Sequence, residues 1–288
     1  MFRRIPRWLY WRFRENIAPI PFVIRLWWIG HHSTAPITDP KGPVVSLTTY
    51  GARTRTVYLV IESIATGSLL PSRIILWLDD EKIFKDLPVS ITRLVRRGLE
   101  VKLCANYGPH TKYYPYVATE NAFDTALVTA DDDHIYAENW LGGLVAAFQE
   151  MPNVINCYRC RVLSFEGKSI RSYRLWGKTR STGPSFRQLP LGVCGVLYPP
   201  EFLKVLKNAG TAFKNCCPTS DDLWVHVQAL RAGYKVRQIR SRPAFPVSIP
   251  GTEGIGLSKL NISYGGNDRQ IAATYTADDV KKLLAMQD

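Results

Sequence analysis

In the stretch Leu127-Val-Thr-Ala-Asp-Asp-Asp-His-Ile-Tyr136, a short apolar run stops at three consecutive carboxylates, Asp131, Asp132 and Asp133. An apolar run bounded this way reads as a buried strand whose carboxyl end opens into a polar site, the place where open α/β sheets bind ligands. Three adjacent acids repel one another and become tolerable together where a hard cation such as Mg²⁺ or Mn²⁺ takes oxygen ligands. Residues i and i+2 of an extended segment point the same way. Asp131 and Asp133 can therefore face one ion while Asp132 faces elsewhere. A solvated acidic turn is the plain alternative.

Outward from this stretch, strand-like and helix-like segments alternate. Val44 to Thr49 is β-rich, Val57 to Ala65 has helical spacing, and Ile74 to Leu78 reads as a strand ending at Asp79-Asp80. Val89 to Arg97 reads as a helix with Gly98 after its end, and Leu99 to Leu103 as a third strand. Tyr116 to Phe123 and Trp140 to Phe148 are helical on either side of the strand Ala126 to Thr129. This succession predicts an α/β fold with a mostly parallel central sheet flanked by helices, and it puts the three acids at the carboxyl edge. The second half is less regular: Val154 to Tyr158 and Val193 to Tyr198 look like strands, separated by a hairpin and loop within Ser164 to Arg187. The expected organisation is a basic aromatic segment and linker over 1–41 and one catalytic domain over 42–288.

Four further elements fall where such a sheet would place them around the acids. Thr48 to Arg55 follows the first strand and offers Arg53 for phosphate oxygens and Tyr50 to pack on a base. Gly108 to Pro115 is a turn before a helix that carries Lys112 to the same edge. In Cys217 to Gly233, Ser220 is a candidate N-cap, Leu223, Trp224, Val227 and Leu230 form an apolar face, and Gly233 is a candidate C′ residue. Asp221 and Asp222 thus occupy the first turn, where they either complement the helix dipole or supply a general base. Gly192 to Pro200 has glycines suited to close backbone approach to a ligand, or to a bulge.

The 288 residues carry 37 basic and 24 acidic side chains, a formal charge of +13, which favours an anionic partner. Six arginines against Glu15 leave residues 1–32 at +5, with the remainder read as mildly basic. Trp8, Trp11, Trp27 and Trp28 are interspersed with these arginines, a mixture suited to an anionic membrane surface. A membrane span does not fit, because Pro6, Pro19 and Pro21 and Arg25 interrupt the segment and about 20 apolar residues are needed to cross. No nucleic acid is expected as a partner. Six cysteines lack a disulfide-framework spacing. Cys157-Tyr-Arg-Cys160 has zinc-knuckle spacing, but the adjacent Cys216 and Cys217 are poor tetrahedral partners, so reduced, mostly buried thiols of a cytosolic protein are the favoured reading.

Taken in order, Ser46 to Tyr50, Ile75 to Asp79, Lys112 to Pro115, Thr129 to Tyr136, Gly192 to Pro200, Asp221 to Trp224 and Asn267 to Gln270 resemble bacterial family-2-type glycosyltransferases of the GT-A fold, of the kind that builds surface polysaccharides. The resemblance covers roughly residues 43–270. It implies a metal-dependent transfer of sugar from a nucleotide diphosphate sugar, with a UDP-sugar as the favoured donor, to a hydroxyl of a glycan or lipid-linked acceptor. It further implies that Asp131 and Asp133 hold Mn²⁺ or Mg²⁺, that Tyr50, Arg53 and Asp79 contact the nucleotide, and that Asp222 or Asp221 is the catalytic base. Asp222 is preferred, since Asp221 lies nearer the N-cap. Lys112 and Asp132 complete the expected donor site. Inversion at the anomeric carbon follows if the base acts in line through the acceptor, and retention stays open. Cys194 stands where a third glycine is more usual in these enzymes. The expected location is cytoplasmic, peripheral on the inner membrane. The rival readings are a sugar nucleotidyltransferase and a non-enzymatic protein that binds anionic polymers.

Overall fold

The computed structural model describes residues 19–242, 247–252 and 259–286. Arg3, Arg4, Arg7, Arg12, Arg14, Trp8 and Trp11, which carry most of the expected membrane segment, lie outside the described residues.

In chain order the first half contains α1 (Ile20–His32), β1 (Val44–Thr48), α2 (Val57–Ala65), β2 (Arg73–Leu78), α3 (Glu81–Lys85), α4 (Val89–Val95), β3 (Leu99–Leu103), α5 (Tyr114–Thr119), β4 (Leu127–Thr129), β5 (His134–Ile135), α6 (Trp140–Glu150) and β6 (Val154–Cys157). An excursion follows, with β7 (Cys160–Val162), the hairpin β8 (Phe165–Glu166) and β9 (Ser169–Ile170), β10 (Gly177–Lys178) and β11 (Gln188–Pro190). The chain then forms β12 (Val196–Tyr198), α7 (Pro200–Ala209), α8 (Phe213–Cys216), α9 (Asp221–Ala232), β13 (Lys235–Gln238), β14 (Val247–Ser248), α10 (Gly266–Thr274) and α11 (Ala277–Ala285).

Seven strands make the central sheet in the order β13-β6-β12-β4-β1-β2-β3. Every neighbouring pair is parallel except the two involving β12, which runs antiparallel to β4 and β6. Strand alternation divides the core into two layers. Val44, Ile75, Trp77 and Leu127 face α5, α7 and α9, whereas Val45, Leu47, Ile74, Leu76 and Val128 face α2, α4 and α6. Leu26 of α1 and the fully buried Ile37 belong to the second layer, so part of the segment read as a linker is packed on the sheet's helices.

The observed elements differ from the sequence-based expectations mainly at their ends. The helix expected over 116–123 covers 114–119, because Glu120 turns extended and Phe123 tucks into the core. Gly233 does end its helix, at φ 81°, as its position suggested, whereas α4 stops at Val95 with Arg96 as its C-cap, three residues before Gly98. Ser220 stands at the N-cap of α9 but makes no capping side-chain hydrogen bond. Gly195, at φ 93°, is needed for packing: a Cβ there would sit 2.6 Å from the Trp140 indole, whose Nε1 donates to the Cys194 carbonyl at 2.8 Å.

The zinc-knuckle alternative gains nothing from the fold. The Cys157 and Cys160 thiols contact each other at 3.1 Å, and none of the six cysteines is in a disulfide. The one group of three or more metal-ligating side chains among the described residues contains no cysteine.

Candidate functional site

The register of the parallel strands builds the site. Ser46 pairs with Thr129 and Thr48 with Trp77, so the loops after β1, β2 and β4 leave the sheet at the same edge. Thr49 and Asp132 consequently meet, the Thr49 hydroxyl donating to Asp132 Oδ2 at 2.7 Å. A 3₁₀ turn over Gly51–Arg55 folds Arg53 back onto the acids. Its guanidinium pairs with Asp132 at 2.7 Å and Asp133 at 2.8 Å, and it donates to the Thr252 carbonyl at 3.0 Å. The Arg53 Nε is buried with no hydrogen-bond partner among the described residues, leaving one donor at the edge unused. Arg53 also lies 5.7 Å from the centroid of the half-exposed Tyr50 ring.

Asp132 and Asp133 lie in a turn and not in the extended segment assumed for the triplet, and both reach Arg53. Asp132 turns inward to Thr49 and Arg53, while Asp131 and Asp133 offer ligand atoms that lie, with one from His134, within 4.8 Å of one another. His134 was not singled out in the sequence. Its Nδ1 contacts Asp133, and β5 pairs with β14, whose continuation sends the Ile249 N–H to the Asp133 carbonyl. Burial disfavours charge on His134, but the bond to Asp133 together with the charges of Asp133 and Asp131 outweighs it and raises the imidazole above its ordinary value.

Lys112 sits deeper, buried at the end of a 3₁₀ turn before α5. Its ammonium bridges Asp131 at 2.8 Å and Asp221 at 3.2 Å. Burial works against that charge, yet Asp131, Asp221 and Asp222 hold it well above the usual lysine value. Asp131 is held below the usual carboxylate range: burial opposes its ionisation, and the Lys112 ammonium with His134 and Arg53 more than offsets this. Asp132 moves the other way, raised by burial despite Arg53 and Thr49.

The two acids at the start of α9 have different partners. Asp221 is buried on Lys112, whereas the half-buried Asp222 accepts the Gly192 N–H at 2.9 Å through Oδ1. Burial, with Asp221 next to it, pushes the Asp222 carboxyl up to about 8. Gly192 allows a close approach here: a Cβ would stand 3.0 Å from Lys112 Nζ and 3.3 Å from Asp222 Oδ1, both tight contacts. Of the two glycines noted in this stretch, Gly192 lines the site and Gly195 serves the core. Cys194 between them is buried, its thiol pushed up to about 12 chiefly by burial, so it supplies no thiolate.

Asp131, Asp132, Asp133, Arg53, Lys112, Asp221 and Asp222 thus form one connected cluster. Asp79 lies apart, partly exposed at the end of β2 on the same edge, where it adds to the burial that pushes the Cys104 thiol up to about 11. A cavity of about 590 Å³, lined by residues including Val162, Phe186, Lys235 and Met286, touches none of the cluster.

A scan with protein-family models returns no match, and a search of curated protein sequences returns none either. Among solved structures, the chain is similar to the mannosyltransferase PcManGT from Pyrobaculum calidifontis in complex with GDP-Man and Mn²⁺. The two are 12% identical, the match covers 93% of this chain and 76% of that one, and the TM-score is 0.52. The fold is GT-A-like. Residues 1–349 of S. aureus TarS match at 12% identity over 84% of this chain and 70% of that chain, with a TM-score of 0.48. GalNAc-T7 with UDP, GalNAc and Mn²⁺ matches at 12% identity over 68% and 41%, with a TM-score of 0.44. Those two values fall below 0.5 and carry no weight.

Proposed function

We propose that the protein is a metal-dependent glycosyltransferase, moving a sugar from a nucleotide diphosphate sugar, with UDP as the first nucleotide to test, to a hydroxyl of a glycan or lipid-linked acceptor in surface polysaccharide synthesis. The observation that carries this reading is the meeting, at one carboxyl edge, of the three-ligand group Asp131, Asp133 and His134 with the helix-start pair Asp221 and Asp222, of which Asp221 is joined to Asp131 through Lys112. Asp131, Asp133 and His134 would hold Mn²⁺ or Mg²⁺; two carboxylates and an imidazole suit either, with the imidazole favouring Mn²⁺. Such an ion, when bound, supplies charge against the diphosphate leaving group.

The side chains do the rest. Arg53 brings positive charge beside the acids for a phosphate, Tyr50 and Asp79 flank the place for a nucleoside, and Asp132 keeps Arg53 oriented. Asp222 takes the acceptor's proton while the Gly192 N–H fixes its carboxylate. Lys112 holds Asp131 and Asp221 in place, and Asp221 in turn neutralises Lys112. The loop after β1 has the single glycine Gly51, not the Gly-rich phosphate loop of a nucleotidyltransferase.

The test is a panel of UDP- and GDP-sugars with and without Mn²⁺. A donor should raise the melting temperature only when Mn²⁺ is present, because a ligand that binds the native state alone stabilises it by mass action. Stabilisation by no nucleotide sugar would remove the proposal.

Attachment to an anionic membrane surface is part of the same reading. No helix of the described residues is long and apolar enough to cross a membrane. On α1, however, Ile20, Ile24, Trp27, Trp28 and His31 fall within about 100° of arc and face solvent, opposite the buried Leu26 and Gly30. Trp27 and Trp28 are 48% and 58% exposed, an apolar face suited to lying in a headgroup layer. Substituting Ile24, Trp27 and Trp28 by serine should abolish co-sedimentation with phosphatidylglycerol vesicles while leaving Mn²⁺-dependent donor binding intact. Equal sedimentation of the variant and the parent would refute this attachment.

A further inference from the structure

The excursion between β6 and β12 concentrates charge. Residues 159–187 hold eight arginines and lysines against the single Glu166, a balance of +7 out of the chain's +13. With the +5 of residues 1–32, this leaves only +1 for all other residues, so the domain is not uniformly mildly basic as expected. Its surplus positive charge is concentrated in this one excursion, where Arg161 and Lys178 form a basic face.

That face adjoins Asp222. Strands β7 and β11 run antiparallel, and their pairing continues to a Leu191 N–H bond to the Arg159 carbonyl at 2.9 Å, one residue before the Gly192 N–H that holds Asp222. Arg161 stacks over the Tyr173 ring at 4.5 Å. Burial and then Asp222 push the Tyr173 hydroxyl up to about 12, with Arg161 and Arg159 opposing, so all three charged groups act on one ring. On the other side of β7, Arg161 stands directly opposite Lys178 of β10. Like charges placed opposite across antiparallel strands are destabilising unless something anionic lies between or above them.

Arg159 apart, none of these cations forms an ion pair with an acid among the described residues. Arg161, Arg174 and Arg187 donate to backbone carbonyls of Tyr173, of Ile262 and Ser263, and of Leu283. Lys168, Arg171, Lys178 and Arg180 are exposed and form no ion pair among the described residues.

We infer that the acceptor is an anionic glycan, with a carboxylate or phosphate on its repeating units, that lies along the Arg161–Lys178 face of the 159–187 excursion and presents its terminal hydroxyl to Asp222. This rests on the glycosyltransferase reading and names its acceptor class. Guanidinium forks match both oxyanions in geometry. The face does not suit the membrane that α1 fits: Tyr173, Trp176 and Leu189 of the excursion belong to one core layer and Leu26 of α1 to the other, so one plane would not engage both. Nor does it suit single-stranded nucleic acid, since Tyr173 and Trp176 are buried and expose no ring for base stacking.

The experiment uses the full chain and the variant K168Q/R171Q/K178Q/R180Q, with fluorescein-labelled oligogalacturonate, polyphosphate and a neutral malto-oligosaccharide as probes. At least one anionic probe should bind, weakening as salt rises, and the neutral one should not. The two anionic arms separate carboxylate from phosphate. The variant should lose affinity by roughly tenfold or more, four exposed contacts of modest strength acting together, with Mn²⁺-dependent stabilisation by the donor unchanged. Equal affinity in the variant, equal binding of the neutral probe, or stronger binding of an oligonucleotide or phosphatidylglycerol vesicles through the same four residues overturns the inference. Absence of donor stabilisation in the parent protein, by contrast, sinks the glycosyltransferase reading itself.

Discussion

Asp222→Asn should lower kcat by roughly 10²–10⁴ while leaving donor affinity nearly unchanged, the signature of a lost general base. The amide keeps an oxygen for the Gly192 N–H at 2.9 Å, so the loop after β11 stays in place and the loss falls on proton transfer. Its neighbour behaves differently. Asp221 faces Lys112 at 3.2 Å, and Asp221→Asn should chiefly lower the melting temperature, because a buried ammonium loses a charged partner.

The pH profile follows from the environment of Asp222. Burial and Asp221 raise its carboxyl to about 8, so in the metal-free protein the base is mostly protonated below that value and mostly ionised above it. Activity should therefore rise with pH along an ascending, acid-side limb ending near or below 8, the bound cation shifting that limb to lower pH by adding positive charge. Protein stability runs oppositely. The folded state binds a proton that the unfolded chain releases near the ordinary carboxylate value of 3.8, so stability declines as pH rises from there to about 8. Asp222→Asn should flatten both slopes. If it keeps the parental kcat while Asp221→Asn loses it, the two roles are reversed; if both keep it, the base lies elsewhere.

Asp133→Ala should abolish turnover and Mn²⁺ binding measured by calorimetry with nucleotide present. The carboxylate is one of three side chains that converge on the ion site, and two remaining ligands leave it too weakly held. The fold should survive. Arg53 keeps Asp132 at 2.7 Å and the Thr252 carbonyl at 3.0 Å, and the lost contacts to Arg53 and His134 should cost about 1–3 kcal/mol. Unchanged Mn²⁺ affinity in the variant would place the ion elsewhere. Because Asp132 points inward to Thr49, Asp132→Asn should act through the orientation of Arg53, with a smaller effect on metal affinity than on donor binding.

The alternation of β-rich and helical periodicities was enough to determine the layered sheet, since each parallel strand buries both faces and each crossover helix one. Strand parity predicted that Asp131 and Asp133 would share a side, but Asp132 and Asp133 lie in a turn, and it is Thr49 and Arg53 that hold Asp132 inward. What local pattern does not encode is long-range register. The pairing of Ser46 with Thr129 brings Thr49 and Arg53 onto acids some eighty residues away, and β5 pairing with β14 brings Ile249 and Thr252 beside them. His134 could be noticed beside the triplet, but its inclusion in the ligand group required the three-dimensional positions of its ring and of Asp131.

Lys112 shows the same division. From sequence it is one lysine before a helix, expected near the phosphates. Only the fold places it between Asp131 and Asp221, where the low-dielectric interior makes its charge more useful to the acids than to a ligand. Gly192 and Gly195 look equivalent in the chain, yet one faces Asp222 and the other the Trp140 indole. The sequence by itself determined the element types, the edge that carries the acids and the total charge. Tertiary structure alone decided which carboxylate has a cation and which has only a backbone N–H, because ionisation depends on neighbours in space and on exclusion of water.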